Sequence, residues 1–514
     1  MSKHYYITTP IYYVNDKPHL GHAYTTIACD VLARFKRLDG YDVFFLTGTD
    51  EHGQKVQQAA EKAGIDPQAF TDKVSQNFRD LIPALNFSND DFIRTTEPRH
   101  KKAAQALWKK LVETGNIYLN KYSGWYAVRD EAYYAEDELK DGPGGKKIAS
   151  SGAECEWVEE ESYFFKLSAW REKLLDFYAK NPDFVLPRTR FNEVKSFVEG
   201  DLRDLSVSRT RINWGIPVPN APGHVMYVWI DALTNYLTAV GYPDKLNQFW
   251  PADLHMVGKD ILRFHAVYWP AFLLAAGIKP PRRIFAHGWW TIEGQKMSKS
   301  LGNVIAPHDL IERYGVDQSR YFLLREVPFG NDGDFSHAQA INRINNDLAN
   351  GLGNLCQRTL SQIQKNCEAK APAHGAFTPE DDELLKQARG LLPAVRLELD
   401  QQKFHKALES IWHVVIAANA YIDAQAPWAL KKTDLPRMNT VLYVLAETIR
   451  CLGLIVQPFM PVSAAKILDQ VAVPETGRGF EFLGKTHTLK PGTPLPAPQG
   501  VFPRIVEEEK KKAV

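Results

Sequence analysis

The sequence predicts an α/β fold: a doubly wound parallel sheet, interrupted by an insertion and followed by an α-helical bundle. Three observations predict it. Strand-like and helix-like stretches alternate up to residue 116, short aromatic segments replace them over 117–222, and strand signals return near residue 225. From residue 338 onward, apolar residues recur every three or four positions. Alternating strands and helices form a parallel sheet covered on both faces, and ligands collect at the carboxyl ends of its strands.

At 514 residues the chain is too long for one domain and suggests three or four. With 44% hydrophobic and 24% charged residues it has ample material for packed cores and reads as soluble and globular. The net charge is only +1, so a nucleic-acid partner would have to be met by a local basic surface. The start of the chain has no basic region followed by an apolar stretch and no Arg/Ser-rich segment, so no targeting peptide is expected. The longest apolar run, 266–278, is too short to span a bilayer, and the 441–468 region is interrupted by Glu447, Arg450 and Lys466. No membrane partner and a cytoplasmic location are expected. Cys29, Cys155, Cys356, Cys367 and Cys451 are scattered with no CxxC pair, which argues against a disulfide framework and a structural zinc site.

Residues 4–14 read as a strand, and Asn15-Asp16-Lys17-Pro18 as a turn into a helix with an apolar stripe of Leu20, Tyr24, Ile27, Val31, Phe35 and Leu38. Such a junction presents backbone N–H groups and the positive end of the helix dipole, and so suits a phosphate. His19 and His22 stand there, with Gly21 between them leaving room for a flat ring. A second strand, 42–46, opens into a loop at 48–53 that carries Asp50. Helices at 55–62 and 74–85, a strand at 92–95 and a helix at 100–114 follow. The insertion contains a glycine-rich loop at 141–147. The sheet is expected to resume with strands at 225–229, 254–257 and 283–286, with a helix at 261–276.

Lys296-Met297-Ser298-Lys299-Ser300 comes next, between Gly294 and Gly302. Two lysines and two serines make a cationic donor set fit to hold a polyphosphate while its charge rearranges. Residues 304–336 link to the helical region. There Ile341, Ile344, Leu348, Leu352 and Leu355 form one stripe, with Asp347, Asn350, Asn354 and Arg358 on the opposite side. A breaker-rich link at 371–382 precedes helices at 383–401, 404–425 and 438–456. A proline-rich extended tail at 489–503 and a charge run at 507–512, read as a disordered end, close the chain.

Taken singly, a His-x-x-His could be half of a metal site or two surface histidines, and a Lys/Ser loop a solvated turn. Together, His19-Leu20-Gly21-His22 and Lys296-Met297-Ser298-Lys299-Ser300 resemble the HIGH and KMSKS signatures of class I aminoacyl-tRNA synthetases, the second letter for letter. Pro10-Ile11-Tyr12-Tyr13-Val14-Asn15, Gly48-Thr49-Asp50-Glu51-His52-Gly53, Tyr227-Val228-Trp229-Ile230-Asp231-Ala232-Leu233, Gly258-Lys259-Asp260 and Ala426-Pro427-Trp428 are similar to the methionyl-tRNA synthetase family over nearly the whole chain.

The resemblance implies a Rossmann-type catalytic domain in 1–116 and 223–303, a connective-peptide insertion in 117–222, a linking stem-contact segment in 304–337, and a helical anticodon-binding domain with its tail in 338–514. It also implies methionine–tRNA ligase activity, with L-methionine, ATP accompanied by Mg2+, and tRNA(Met) as partners. His19, Gly21, His22, Asp260, Lys296, Ser298 and Lys299 would bind ATP. Of these, His19, His22, Lys296 and Lys299 would be catalytic, Lys299 acting chiefly in the transition state. Asp260 would anchor the ribose; a cap for the 261–276 helix is an equally open role for it.

Ile11, Tyr13, Asp50, Trp229, Ala232, Leu233, Tyr236, His265 and Trp269 match the family's methionine-binding positions. Aromatic rings suit a polarizable thioether, at about 0.3–1.5 kcal/mol per S···aromatic contact, and Asp50 would pair with the ammonium. Core packing and a turn-stabilising role are the alternatives. Asn350, Asn354 and Arg358 would bind anticodon base edges and Trp428 would stack a base; interdomain packing and a solvated face are the alternatives. Many relatives carry a zinc knuckle where this chain reads Trp125-Tyr126-Ala127-Val128-Arg129-Asp130-Glu131, a departure that predicts a metal-free or shortened knuckle. The insertion is too small for an editing domain, so analogues such as homocysteine would be rejected in the synthetic site. No oligomer-type tRNA-binding domain follows residue 505, and a monomer is expected. A free-standing nucleotidyltransferase would have no use for the helical region with Trp428. Intact His19, His22, Lys296, Lys299 and Asp50 speak against a non-catalytic tRNA-binding relic.

Overall fold

A parallel sheet runs in the order Val185–Leu186, Ile284–His287, Leu254–Gly258, Lys3–Thr8, Tyr41–Asp50, Tyr12–Tyr13, with Asp91–Arg94 also pairing with Tyr41–Asp50. Ile7 lies opposite Leu254, Val257 opposite Ala286 and Thr49 opposite Arg94. Ile7, Phe45, Leu46, Met256 and Val257 are fully buried, as expected for a sheet covered on both faces. The computed structural model describes residues 3–130, 132–200, 202–297 and 302–506. They fall into two units, one made of 4–18 and 43–287, which holds nearly all of this sheet, the other of 1–3, 19–42 and 288–514.

In four places the sheet differs from the sequence expectation. The loop expected at 48–53 begins only after Asp50, because strand Tyr41–Asp50 continues through Gly48 and pairs with neighbours on both sides. The strand foreseen over 4–14 breaks after Thr8, where Pro10 has no N–H to donate, and Tyr12–Tyr13 re-forms against Thr49 and Asp50 on the far side of Tyr41–Asp50. Over 225–229 only Val225–Met226 is strand. It pairs with Ser208–Arg209 outside the main sheet, and helix Val228–Thr238 begins directly after it. A short apolar run carries no period that separates strand from helix. Val185–Leu186, within the stretch expected as insertion, supplies an edge strand beside Ile284–His287.

The remainder of that stretch holds a six-stranded sheet, built on the long antiparallel pair Ile117–Ala127 and Glu154–Phe165, and the helices Arg171–Lys180 and Arg188–Glu199. The glycine-rich 141–147 segment is the turn between Leu139–Asp141 and Lys147–Ala149. At the knuckle position, the Asp130 carboxylate accepts from Tyr134 Oη (2.8 Å), Arg129 Nε (3.1 Å) and the Ser151 hydroxyl, while Arg129 Nη2 donates to Ser151 O (2.6 Å). Ala127, Ala149, Ala153 and Cys155 form a small core there. Among the described residues no group of His, Cys, Asp or Glu is arranged to hold a metal; Glu131 lies outside them.

The second unit contains helix Leu20–Leu38, which is buried on nearly every side rather than along its stripe alone. Its charged residues are therefore paired. Asp30 accepts from Arg320 Nη2 (2.6 Å), both side chains wholly buried, and the guanidinium also donates to Pro458 O and Phe459 O. Lys36 pairs with Asp400 and Asp39 with Arg396.

Helices Phe404–Gln425 and Leu435–Val456 form the centre of the helical region. The latter is long and apolar enough to cross a membrane, but 94% of its apolar window is buried in the protein, where Glu447 binds Arg389 and Arg450. The helix foreseen over 383–401 is two, Pro379–Arg389 and Leu391–Asp400, because Pro393 cannot donate to the Arg389 carbonyl. The linking segment contains helices Pro307–Tyr314 and Val316–Arg325. Helix Pro461–Gln470 was not foreseen, its apolar stripe being short. The 341–355 stripe is buried as expected, although Ile344–Gly353 winds as π-helix. The extended tail is docked, with Val501 and Phe502 buried and Ile505 exchanging two 2.8 Å bonds with the Asn345 amide; the 507–512 run lies outside the described residues.

Arg320→Ala would take one donor from the buried Asp30 carboxylate, which keeps Arg34 Nε (2.8 Å), and would deprive two backbone carbonyls of the guanidinium; it should destabilise this unit by about 3 kcal/mol. Lys36→Ala, whose partner is half-exposed, should cost about 1 kcal/mol or less. Denaturant titrations of both variants check the difference, and equal losses would contradict the pairing described.

Candidate active site

His19 is the N-cap of helix Leu20–Leu38, with extended backbone. Its Nδ1 accepts from the Gly21 N–H (3.0 Å), and His22 Nδ1 accepts from the His19 N–H (3.0 Å). This is a capping box built from two imidazoles. The two rings stack with centroids 3.9 Å apart. A ring nitrogen that accepts from an N–H carries no proton, so in the neutral rings the proton is on Nε2. Burial, reinforced by the neighbouring His19, holds His22 well below the usual imidazole range and therefore neutral near pH 7.

Gly21 also matters to the cap itself, since a Cβ there would stand 3.0 Å from His19 Cε1 and crowd the ring. The remaining first-turn N–H groups are also engaged: Leu20 with Ile305 O (3.0 Å), and His22 and Ala23 with His19 O. An anion at this helix start in the present conformation would meet imidazole edges, not the bare N–H groups the sequence suggested.

The lysine motif begins on a β-hairpin. Trp290–Ile292 pairs with Gln295–Lys296 across a turn whose residues Glu293 and Gly294 both have positive φ (48° and 76°), the conformation two-residue hairpins demand. Gly333–Phe335 runs parallel to the first strand, and Asp334 Oδ1 accepts from Gly294 N (2.8 Å) and Thr291 Oγ1 (2.6 Å). Lys296 is exposed, its Nζ 5.7 Å from the Trp289 ring centre. Ser298 and Lys299 lie outside the described residues. Tyr24, one turn into the His19 helix, meets Trp290 edge-on at 5.5 Å. With the Leu20–Ile305 bond, this sets the hairpin on which the lysine motif begins, and the chain beyond the motif, against the histidine helix within one unit.

In the other unit, Asp50 closes strand Tyr41–Asp50 at its carboxyl end and is 6% exposed. The next residue, Glu51, is fully buried and accepts from Arg94 (2.7 and 3.0 Å), Thr49 (2.8 Å) and Thr96, which fixes the loop that presents Asp50. Trp214 braces the same loop, donating to Glu51 O (2.5 Å) and accepting from Gly53 N (3.1 Å). Nothing in the sequence marked Trp214 beyond its being aromatic.

Trp229, Ala232, Leu233 and Tyr236 share one face of helix Val228–Thr238. Tyr236 Oη lies 2.7 Å from His265 Nε2, and His265 Nδ1 lies 3.0 Å from Ile261 O. The carbonyl takes the ring proton, so Nε2 accepts the phenol. Burial lowers His265 to about 4 and keeps it neutral. Trp269 is fully buried with its ring 6.1 Å from Tyr236, and Trp229 stacks on Phe264 at 3.7 Å. Ile11 and Tyr13 pack, partly buried, on the same core. Phe264–Tyr268 is a π-helical turn, a form frequent at functional sites. Phe264 and the buried His255, which stacks on Tyr236 at 4.0 Å, were not singled out in the sequence; adjacency to His265 was the available signal for Phe264, and His255 had none. Asp260 is exposed in the turn after strand Leu254–Gly258. The cap position there is Gly258, so the geometry gives the capping role no support.

In the helical region Asn350 and Asn354 are exposed, and the Arg358 guanidinium lies 5.4 Å over the Trp428 ring while pairing with Asp423. Trp428, 43% exposed, is on the short helix Pro427–Thr433 and not in a loop; Ala426 in the left-handed conformation starts that helix.

His22, His255 and His265 all have pKa values lowered by burial. Unfolding lets each bind a proton, so folded stability should rise with pH from about 4 to about 6.5 and then level off. Melting temperatures across pH 4–8 check this, and a profile that is flat or falling up to pH 6.5 would contradict it.

A family model for tRNA synthetases class I (M) matches residues 5–360, and one for the anticodon binding domain of methionyl tRNA ligase matches 371–513. Methionine–tRNA ligase of Mesorhizobium japonicum is 58% identical over 98% of this chain and 98% of its own, and that of Brucella suis 56% over 99% of both. The structure of Mycobacterium tuberculosis methionyl-tRNA synthetase in complex with methionyl-adenylate superposes with a TM-score of 0.96 at 54% identity, covering 98% of this chain and all of that one.

Proposed function

We infer that this chain charges tRNA with methionine: it belongs to the methionyl-tRNA synthetase family of class I, and its activity is methionine–tRNA ligation in two steps. Methionine and ATP give methionyl-adenylate and pyrophosphate, and the methionyl group then passes to tRNA(Met). The geometric observation that best supports a site for the first step is the Leu20–Ile305 bond, which joins the doubly capped histidine helix to the chain beyond the lysine motif.

The methionine carboxylate must displace pyrophosphate in line at the α-phosphorus, a step whose barrier is largely electrostatic. In our reading His19 and His22 donate from Nε2 to the α- and β-phosphates, His22 as a neutral group. Gly21 holds the His19 ring in place and lets adenine come close. Lys296, Ser298 and Lys299 receive the departing β- and γ-phosphates, and Lys299 acts mainly in the transition state. Mg2+ accompanies ATP as part of the substrate, and Asp260 holds the ribose.

Asp50 receives the ammonium. Ile11, Tyr13, Trp229, Ala232, Leu233, Tyr236, His265 and Trp269 surround the thioether, with Phe264 supporting Trp229. The Tyr236–His265 bond satisfies both polar groups against each other, leaving the pocket dispersive and suited to sulfur. Asn350, Asn354 and Arg358 read anticodon edges and Trp428 stacks a base. We assign 1–116 and 223–303 to the catalytic domain, 117–222 to the insertion, 304–337 to a stem contact and 338–514 to anticodon binding. Rejection of homocysteine occurs in the synthetic site. We place the chain in the cytoplasm as a monomer acting without a membrane; the burial of helix Leu435–Val456 supports only the last of these.

Labelled pyrophosphate should exchange into ATP at full rate with methionine alone among the twenty amino acids; equal exchange with another would overturn the pocket assignment. Lys299→Ala should lower the adenylation rate about 100-fold or more with a much smaller change in methionine binding, and equal losses in rapid-quench kinetics would remove its transition-state role. Trp428→Ala should leave exchange intact while raising KM for tRNA about tenfold, in line with about 1–3 kcal/mol per stacked base. Unchanged charging would exclude Trp428 from the anticodon site.

A further inference from the structure

Asp231 lies between Trp229 and Ala232 but belongs to neither the proposed ATP site nor the thioether pocket. It is fully buried, and each carboxylate oxygen accepts from a different imidazole: Oδ2 is 2.7 Å from His52 Nδ1 and Oδ1 is 2.7 Å from His100 Nε2. His52 is in the loop two residues beyond Asp50, and His100 is in helix Pro98–Glu113. His100 Nδ1 also reaches Thr238 Oγ1 (3.1 Å), two turns further along the Asp231 helix. The two imidazoles hold the carboxyl at about 2 against the upward pull of burial, so it is an anion at any working pH.

An α-helix turns about 100° per residue, which puts Trp229, Ala232, Leu233 and Tyr236 on one face of Val228–Thr238 and Asp231, Thr234 and Thr238 on the opposite face. The front carries the residues assigned to the thioether. The rear is fastened through His52 to the loop carrying Asp50, the residue assigned to the ammonium. That loop is braced from its other side, since Trp214 meets the His52 ring edge-on at 5.4 Å and bonds to Glu51 and Gly53. One anionic hub thus fixes the spacing between two parts of the same substrate site.

We propose that Asp231 is a positioning residue for amino-acid recognition: its two-imidazole clasp sets the register between the ammonium partner Asp50 and the side-chain pocket. The proposal rests on the methionine-site assignment above. Asp231 touches no substrate in this reading. A ligand that engages both subsites depends on the register, and one that engages the pocket alone does not.

The test uses methionine-dependent pyrophosphate exchange by the full chain, with 4-(methylthio)butanoate, which keeps the thioether and carboxylate but lacks the amine, as a competitive probe. Asp231→Asn keeps the size of the side chain but replaces one acceptor by a donor, so one imidazole loses its bond. We expect KM for methionine to rise tenfold or more, while kcat, KM for ATP and the inhibition constant of the amine-free probe stay within twofold of wild type. His52→Gln, which keeps a donor toward Asp231, should show the same pattern with a smaller rise. It also serves as the readout should Asp231→Asn fail to fold. An unchanged methionine KM overturns the proposal, and so does a parallel loss of methionine, probe and ATP binding with a lowered melting temperature, which marks a merely structural pin. Asp50→Asn is run beside them. If it leaves the methionine KM at the wild-type value, the ammonium assignment itself fails, whatever Asp231 does.

Discussion

The reciprocal cap between His19 and His22 is the constraint from which the rest of the site follows. Serine, threonine or aspartate is the ordinary choice for an N-cap, and each would satisfy the helix start without leaving a ring to act elsewhere. Two imidazoles each spend Nδ1 on the backbone and carry the proton on Nε2. Burial then keeps His22 neutral. The pair is a rigid set of ring donors, which is what the proposed phosphate contacts require. Gly21 suits this cap for a local reason, because a Cβ there would stand 3.0 Å from the His19 ring and crowd it by a few tenths of an ångström.

Buried carboxylates do the equivalent work elsewhere. Asp30 with Arg320, Glu51 with Arg94, Asp231 with two histidines and Glu447 with two arginines each have one anion met by several donors. A buried ion pair adds little net stability, since desolvation offsets its attraction. What it supplies is geometry: a misplaced partner would leave a charge in an apolar interior, so each hub tolerates one arrangement. Two of the four adjoin proposed methionine contacts, Glu51 beside Asp50 and Asp231 beside Trp229 and Ala232.

Much of this was legible in the sequence because its strongest signals are local. The helix at 20–38 and the helix at 404–425 follow from periodicity and breakers, and the two signatures identified the family; the strand expected at 42–46 was read too short, since it runs on to Asp50. Distances along the chain hid the remainder. Nothing near Trp229 announces that the strand-like 225–229 run turns into helix at Val228, nor that Val185–Leu186 travels from the middle of the insertion to a sheet edge. Trp214, Phe264, His255 and His100 act through partners that are remote in sequence or lack any local spacing. The two π-helical turns, at His265 and at Asn350, depend on backbone hydrogen bonds that no side-chain pattern encodes. At the knuckle, the absence of cysteine pairs marked a departure from the metal-bearing relatives; the bonds that tie Asp130 to Tyr134 and Ser151 could not have been read from spacing alone.

The central claim is that the capped histidines and the lysine hairpin act on one polyphosphate. A double-mutant cycle between His22→Asn and Lys296→Ala, read as kcat/KM for ATP in pyrophosphate exchange, tests it most directly. The account predicts a coupling of about 1 kcal/mol or more, because both side chains would hold the same charge as it moves. Losses that add to within about 0.3–0.5 kcal/mol would mean that the two groups act on different things, and would contradict it.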